Sequence, residues 1–163
     1  MIVCPACQYG FEPAAGGLLI RENVIVIVRH PADGRVLNIL RSRNKVITDG
    51  LNLIRDRMSG LGLPPSKIAV GDGTADVLDG DHALQNEVYR NGITQILRPA
   101  TGQVFYRLFI PSSAANGYDL NEAMIVNDDD VMLSRVLFDT PETKTASKTL
   151  TVSWEHVYQY QAS

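Results

Sequence analysis

The segment Thr149-Leu-Thr-Val-Ser-Trp-Glu-His-Val-Tyr158 constrains the fold more than any other part of the chain. Leu150, Val152, Trp154, His156 and Tyr158 fall on one side of an extended backbone, and Thr149, Thr151, Ser153 and Glu155 on the other. That two-residue period belongs to a β-strand with one buried face. Such a face needs a sheet around it and a second layer against it.

The rest of the sequence supplies both. Asn23-Val-Ile-Val-Ile-Val-Arg29 is a β-branched run, suited to a strand and too short for an ordinary helix. His30-Pro-Ala-Asp-Gly-Arg35 then turns it into Val36–Leu40, giving an N-terminal hairpin over 23–43. A second hairpin pairs 93–98 with 104–110 across Pro99-Ala-Thr-Gly102. Asn116-Gly117 precedes a run over 118–126, and Asn127-Asp-Asp-Asp130 turns into 131–139. Short strands from 67 to 158 at regular spacing predict a mainly β (α+β) fold. The expected form is an antiparallel β-sandwich-like domain over residues 18–163.

One helix is expected, near residues 48–59. Ile47, Leu51, Ile54 and Met58 stand at i, i+4, i+7 and i+11 in NKVITDGLNLIRDRMSG, which predicts a single apolar stripe facing the core. Thr48 or Asp49 is placed to cap its start, and Gly60 to end it. Residues 1–17 read as a flexible arm, with Cys4-Pro-Ala-Cys7 near its start and Pro-Ala-Ala-Gly-Gly at 13–17.

A chain of 163 residues, 45% apolar, is one domain's worth of sequence and would bury roughly 70% of its unfolded surface. Its net charge of −3 and lack of a local Lys/Arg run argue against nucleic-acid binding by electrostatics. Arg41, Arg43 and Lys45 form a small basic group before the helix, read as a solvated face or a subunit contact. No apolar stretch approaches the roughly 20 residues that span a bilayer. Nor does MIVCPACQ have the pattern of a secretory signal, so synthesis in a cytoplasm is expected.

The stretch Lys67-Ile-Ala-Val-Gly-Asp-Gly-Thr-Ala-Asp-Val-Leu-Asp-Gly-Asp81 looks like chemistry, but each specific reading fails. A dinucleotide fingerprint requires a third glycine where Asp76 stands, and that carboxylate would repel a phosphate. A calcium loop beginning at Asp72 would put Val77 at its glycine position. A polar turn loop remains. Cys4 and Cys7 have the spacing of one zinc knuckle without a second pair of ligands; His30, His82 and His156 are isolated in sequence. Free thiols, a local disulfide, and a metal shared with another subunit all remain open for them. Asp128–Asp130 reads as a solvated acidic tip. No nucleophile is paired with a base, so no enzyme is expected, and apart from zinc no cofactor.

From about 44 to 158 the chain resembles a module of bacteriophage virion proteins of the tail-fibre, baseplate and collar type. The residues that carry the likeness are NKVITDGLNLIRDRMSG, then Gly71, Gly73, Asp81, Leu84, Glu87 and Arg90. Asn121-Glu122 in YDLNEAMIV follows, and then a closing hairpin with Trp154 in its last strand. The resemblance implies a structural loop at Gly71 and Gly73, with Asp81 capping a turn that carries Leu84 and with Glu87 and Arg90 as an ion pair. It also implies Trp154 in the core. In function it implies a non-enzymatic virion component, an attachment, adaptor or fibre-base piece. The expected assembly is an oligomer, a trimer before others, docked on other tail or head proteins. A capsid-surface decoration protein and a carbohydrate-binding module using Tyr106, Tyr118, Tyr158 and Tyr160 are the alternatives. The hairpin Val24–Leu40 and the arm are the candidate contact elements, since an open Val24–Val28 edge would call for a covering partner.

Overall fold

The computed structural model describes residues 18–160, together with the short strands β1 (Ile2–Val3) and β2 (Gly10–Phe11), which pair with each other. The main body is a sandwich of two five-stranded sheets in which every neighbouring pair is antiparallel. The first sheet has the order β5 (Lys45–Val46), β11 (Met132–Thr143), β10 (Asp119–Val126), β6 (Lys67–Gly71) and β7 (Glu87–Gly92). The second has the order β4 (Val36–Arg43), β3 (Leu18–Arg29), β12 (Thr149–Tyr160), β9 (Gln103–Ile110) and β8 (Gln95–Leu97).

Between the sheets lies the core that the alternation of β12 demands. Leu150, Val152 and Trp154 meet Val24, Val26 and Val28 of β3 and Leu108 and Ile110 of β9. Opposite them stand Ile68, Val70, Leu120, Ala123, Ile125, Val136 and Phe138 of the first sheet. That sheet is covered on its outer face as well. There Ala69, Met124, Val126 and Met132 form a second cluster with Ile47 and Leu84, against which Val77 packs. Burial on both faces explains why Lys67–Val70 and Ala123–Val126 read as continuous apolar runs rather than alternating ones.

The open edge expected at Val24–Val28 does not exist. β12 returns from the far end of the sequence to pair with β3 along its whole length, while β4 takes the other side. The exposed edges of this sheet are β4 and β8.

The helix, α1, spans Thr48–Met58, but the stripe expected of it is rotated. Ile47 is buried as the residue that precedes the helix, Ile54 is half-buried, and Leu51 and Met58 are 58% and 80% exposed. Gly50 and Leu53 are the buried helical residues. The cause is a close approach: a Cβ on Gly50 would lie 1.8 Å from the Leu133 carbonyl oxygen. The helix therefore sits on β11 through its glycine side, and Leu51 turns out to solvent. Neither Thr48 nor Asp49 caps it. The N-cap is Ile47, without a side-chain bond, and Asp49 instead meets His82 Nδ1 at 2.6 Å. The C-terminus is as expected, with Gly60 at φ +81°. Leu61 N–H donates to the Asp56 carbonyl and Gly60 N–H to that of Arg57, the paired bonds of a Schellman end.

Candidate functional site

Three places in the fold gather polar or exposed apolar groups in a way that simple packing does not require. The first is the glycine-aspartate loop between β6 and β7. Glu122, fully buried on β10, reaches into it and accepts from the backbone N–H groups of Gly73, Gln85 and Asn86 at 3.2, 3.2 and 2.9 Å. Arg135 of β11, also buried, donates to Glu122 Oε2 at 3.0 and 2.7 Å, to Asp81 Oδ2 at 2.6 Å and to the Ala75 carbonyl at 3.0 Å. Asp81 additionally accepts the Leu78 N–H at 3.0 Å. Burial would raise the Asp81 carboxyl, but the Leu78 amide and the Arg135 guanidinium hold it below the ordinary carboxylate range.

A Cβ on Gly71 would lie 2.3 Å from the Asn86 carbonyl oxygen, and one on Gly73 would lie 2.4 Å from Glu122 Oε1. The glycines thus make room for a clamp rather than for a ligand. Leu84 is buried beneath the loop, and Glu87 and Arg90 pair at 2.7 Å on β7. Composition could not have singled out Glu122 and Arg135. Their signal is positional: each is a charge inside a strand that is otherwise buried, in LNEAMIV and LSRVLF.

The second place is one end of the inter-sheet space. Glu22 of β3 and His156 of β12 are both buried, with Glu22 Oε1 3.2 Å from His156 Nε2. Burial pushes the Glu22 carboxyl up to about 7, although the polar groups of Ser134 and Asn44 beside it pull it down. Burial alone pushes the His156 imidazole down to about 4. Desolvation thus favours a carboxylic acid beside a neutral imidazole, one proton between them, over an ion pair. Tyr106 stacks edge-on against His156 with centroids 5.3 Å apart, and the Tyr158 hydroxyl lies 3.4 Å from His156 Nδ1. Beside this group opens a cavity of about 560 Å³, walled by Leu53, Ile54, Pro64, Pro65 and Leu133, with Arg57 and Arg98 also lining it. Burial raises the Tyr158 hydroxyl to about 12. It is a proton donor there, not a ready nucleophile.

The third place is the outer face of the second sheet. The register sets Ile39, Ile27, Thr151 and Phe109 side by side across β4, β3, β12 and β9. Ile39 is 48% and Phe109 46% exposed, and Leu37 at the same edge is 42%. The next row carries Arg41, Ile25, Ser153 and Arg107, and the one beyond it Arg43, Asn23, Glu155 and Phe105. A cleft of about 470 Å³ runs beside Arg41 and Arg43, with Ile25 and Asn23 on its wall and Asp139 and Glu155 also lining it. Among the described residues, neither Arg41, Arg43 nor Arg107 forms an ion pair with a carboxylate. Arg107 donates to Gln95 Oε1 and lies over the Phe105 ring. No window of sequence contains this basic surface, because the fold collects it from separate strands. Arg41 and Arg43 were its only local trace.

Cys4 and Cys7 lie outside the described residues, as does most of the expected arm. Among the described residues, no group of three or more His, Cys, Asp or Glu side chains is placed to hold a metal ion. No described helix is long and apolar enough to cross a membrane. Asp128 bonds Ser66 and Lys67, and Asp130 pairs with Arg90, so the acidic tip is tied to the first sheet. Trp154 is fully buried. No family model, no curated protein and no solved structure matches the chain.

Proposed function

We propose that the protein is a non-enzymatic structural component of a tailed-phage virion, an attachment or adaptor piece that works by docking. The observation that carries this reading is the outer face of the second sheet. Its row of half-exposed isoleucine and phenylalanine is bordered on one side by arginines that have no carboxylate partner among the described residues. Exposed apolar side chains bordered by arginine are the composition of a protein interface. The likeness of residues 44–158 to phage virion modules gives the reading its context. The clamped glycine loop supports it too, since a loop locked from beneath by Glu122 and Arg135 stiffens a scaffold.

The test is direct. Mass spectrometry of purified particles from the phage that carries the gene should find the chain in stoichiometric amounts. Its confinement to the soluble lysate would reject the reading. A virion chain in which Ile39→Asp and Phe109→Asp are combined should fold but be missing from particles.

A second reading is favoured by one observation, the meeting of Tyr106 and Tyr158 at the same 560 Å³ cavity. Stacking tyrosines beside hydrogen-bonding groups suit a sugar, and a glycan array on the purified protein tests it. Tyr118 is 45% exposed but does not line that cavity, and the side chain of Tyr160 lies outside the described residues.

A further inference from the structure

The charges of this mildly acidic chain are sorted by the fold. The two outer faces of a sandwich point in opposite directions. One of them, on the second sheet, presents Arg41, Arg43 and Arg107 along one side of the row Ile27, Ile39 and Phe109, with Glu155 the one carboxylate in those rows. The other, on the first sheet, is overlaid by the glycine-aspartate loop, whose Leu84 and Val77 pack down against Ala69, Met124, Val126 and Met132. The crest of that loop is its opposite in charge. Leu78 stands out 63% exposed, between the exposed residues Asp76 and Asp79. The Asp76 carboxylate makes no hydrogen bond or ion pair among the described residues, while the Asp79 carboxylate meets only the surface lysine Lys45, at 2.8 Å, among them.

A single exposed aliphatic side chain is common on protein surfaces. Leu78 is set apart by the carboxylates on either side of it and by the rigidity of its mount. Here the loop cannot swing inward to bury it. The Leu78 N–H is held by Asp81, Asp81 by Arg135, and Arg135 by Glu122. Leu78 is therefore presented on a rigid mount as an apolar knob between two carboxylates. The opposite face offers an apolar row bordered along one side by guanidiniums. Both the apolar and the charged parts match, and both surfaces belong to the same chain.

We propose that the occupant of the second sheet's outer face is a second copy of this chain, which inserts its Leu78 loop. Asp76 and Asp79 of one copy then meet Arg41 and Arg43 of the next. The contact is heterologous, so it repeats head to tail, closing into a ring if the rotation per step allows and stacking openly if it does not. Carboxylate–arginine pairs of this kind steer and orient association and weaken with salt. This rests on the reading of that face as the docking surface, and names what docks there.

The experiment is a charge exchange followed by light scattering on the purified chain. One variant carries Arg41→Glu and Arg43→Glu, and the other Asp76→Lys and Asp79→Lys. All four side chains are exposed, and circular dichroism and melting temperature check that both variants fold. The wild-type mass should exceed that of a monomer in low salt and fall as salt is raised. Each variant alone should be at least tenfold weaker in self-association, and an equimolar mixture should regain it. Restoration on mixing arises only if loop and face touch each other.

Three results would overturn the proposal. One is a wild-type monomer at every concentration and salt. Another is a loop variant that assembles like wild type, which would mean that the face meets something other than the loop. The third is monomeric wild type that binds a fluorescent single-stranded oligonucleotide, with binding lost only in the arginine variant. That would assign the face to a polyanion. Chain found in particles while self-association fails would remove this proposal and leave the docking reading standing.

Discussion

Glu122 and Arg135 show how a buried charge pair can be used to fix a loop. Three backbone N–H groups and two guanidinium bonds converge on the Glu122 carboxylate, so neither partner can be removed alone without leaving the other stranded. Arg135→Met should destabilise the protein by about 3–5 kcal/mol, the cost typical of an uncompensated buried charge. Glu122→Gln with Arg135→Met should recover part of that loss, as read by urea unfolding. Equal loss in single and double variants would contradict the account. Gly73→Ala should cost about 1–3 kcal/mol for its collision with Glu122 and Gln85.

The pair Glu22–His156 makes a prediction about pH. Glu22, raised from 4.5 to about 7, contributes stability that is fully present below pH 4.5 and lost as pH rises through 7. His156, lowered from 6.5 to about 4, contributes stability that is present above pH 6.5 and lost as pH falls toward 4. Each effect is on the order of 3 kcal/mol, and over the shared window their slopes oppose. Stability of the wild type should therefore be nearly flat between pH 4.5 and 6.5 with respect to this pair. Glu22→Gln should expose a rise with pH, and His156→Gln a fall. Chemical denaturation across that range decides, and parallel curves for all three proteins would refute it.

At the scale of elements, strands were legible and the helix face was not. The β12 alternation named the core-facing Leu150, Val152, Trp154 and His156 because pleat and core burial share one period, although Ser153 on the other side is buried by its neighbours. Both hairpins lie where turn residues put them. The helix stripe failed because periodicity ranks side chains and cannot see a missing one. Gly50 lets the backbone itself touch β11 at Leu133, and that contact sets the rotation. Leu53→Ala should accordingly cost about 2–5 kcal/mol, whereas Leu51→Ala should stay within about 0.5 kcal/mol. Comparable losses in thermal unfolding would restore the stripe at Leu51. The same limit explains the misread edge at Val24–Val28. A strand's partners are set by topology, and β12 lies at the opposite end of the chain. Arg135 and the clamping role of Glu122 were hidden for a related reason, since only the register brings β10, β11 and the loop together.

At the scale of the whole molecule, the distribution of charge matters more than its sum. A net charge of −3 conceals one face with three arginines from two strands and another crowned by aspartates. A window of sequence shows only the small basic group Arg41, Arg43 and Lys45, and the fold adds Arg107 from a distant strand. Ionic strength should therefore act on association and leave folding almost untouched. Raising salt from 50 to 500 mM, roughly a Debye length of 14 falling to 4 Å, should lower the apparent mass without moving the melting temperature of dilute protein. A parallel fall in both would place the salt-sensitive charges inside the fold.

The central claim is that the outer face of the second sheet is covered when the protein works. Hydroxyl-radical footprinting reads this directly, by comparing oxidation at Phe109 and Ile39 in the isolated dilute chain with that in intact particles. The account predicts that both residues are strongly labelled alone and protected several-fold in the particle, with exposed Met58 on the helix labelled alike in both. Equal labelling of Phe109 and Ile39 in the two states, with the chain present in the particle, would mean that this face is not where it docks.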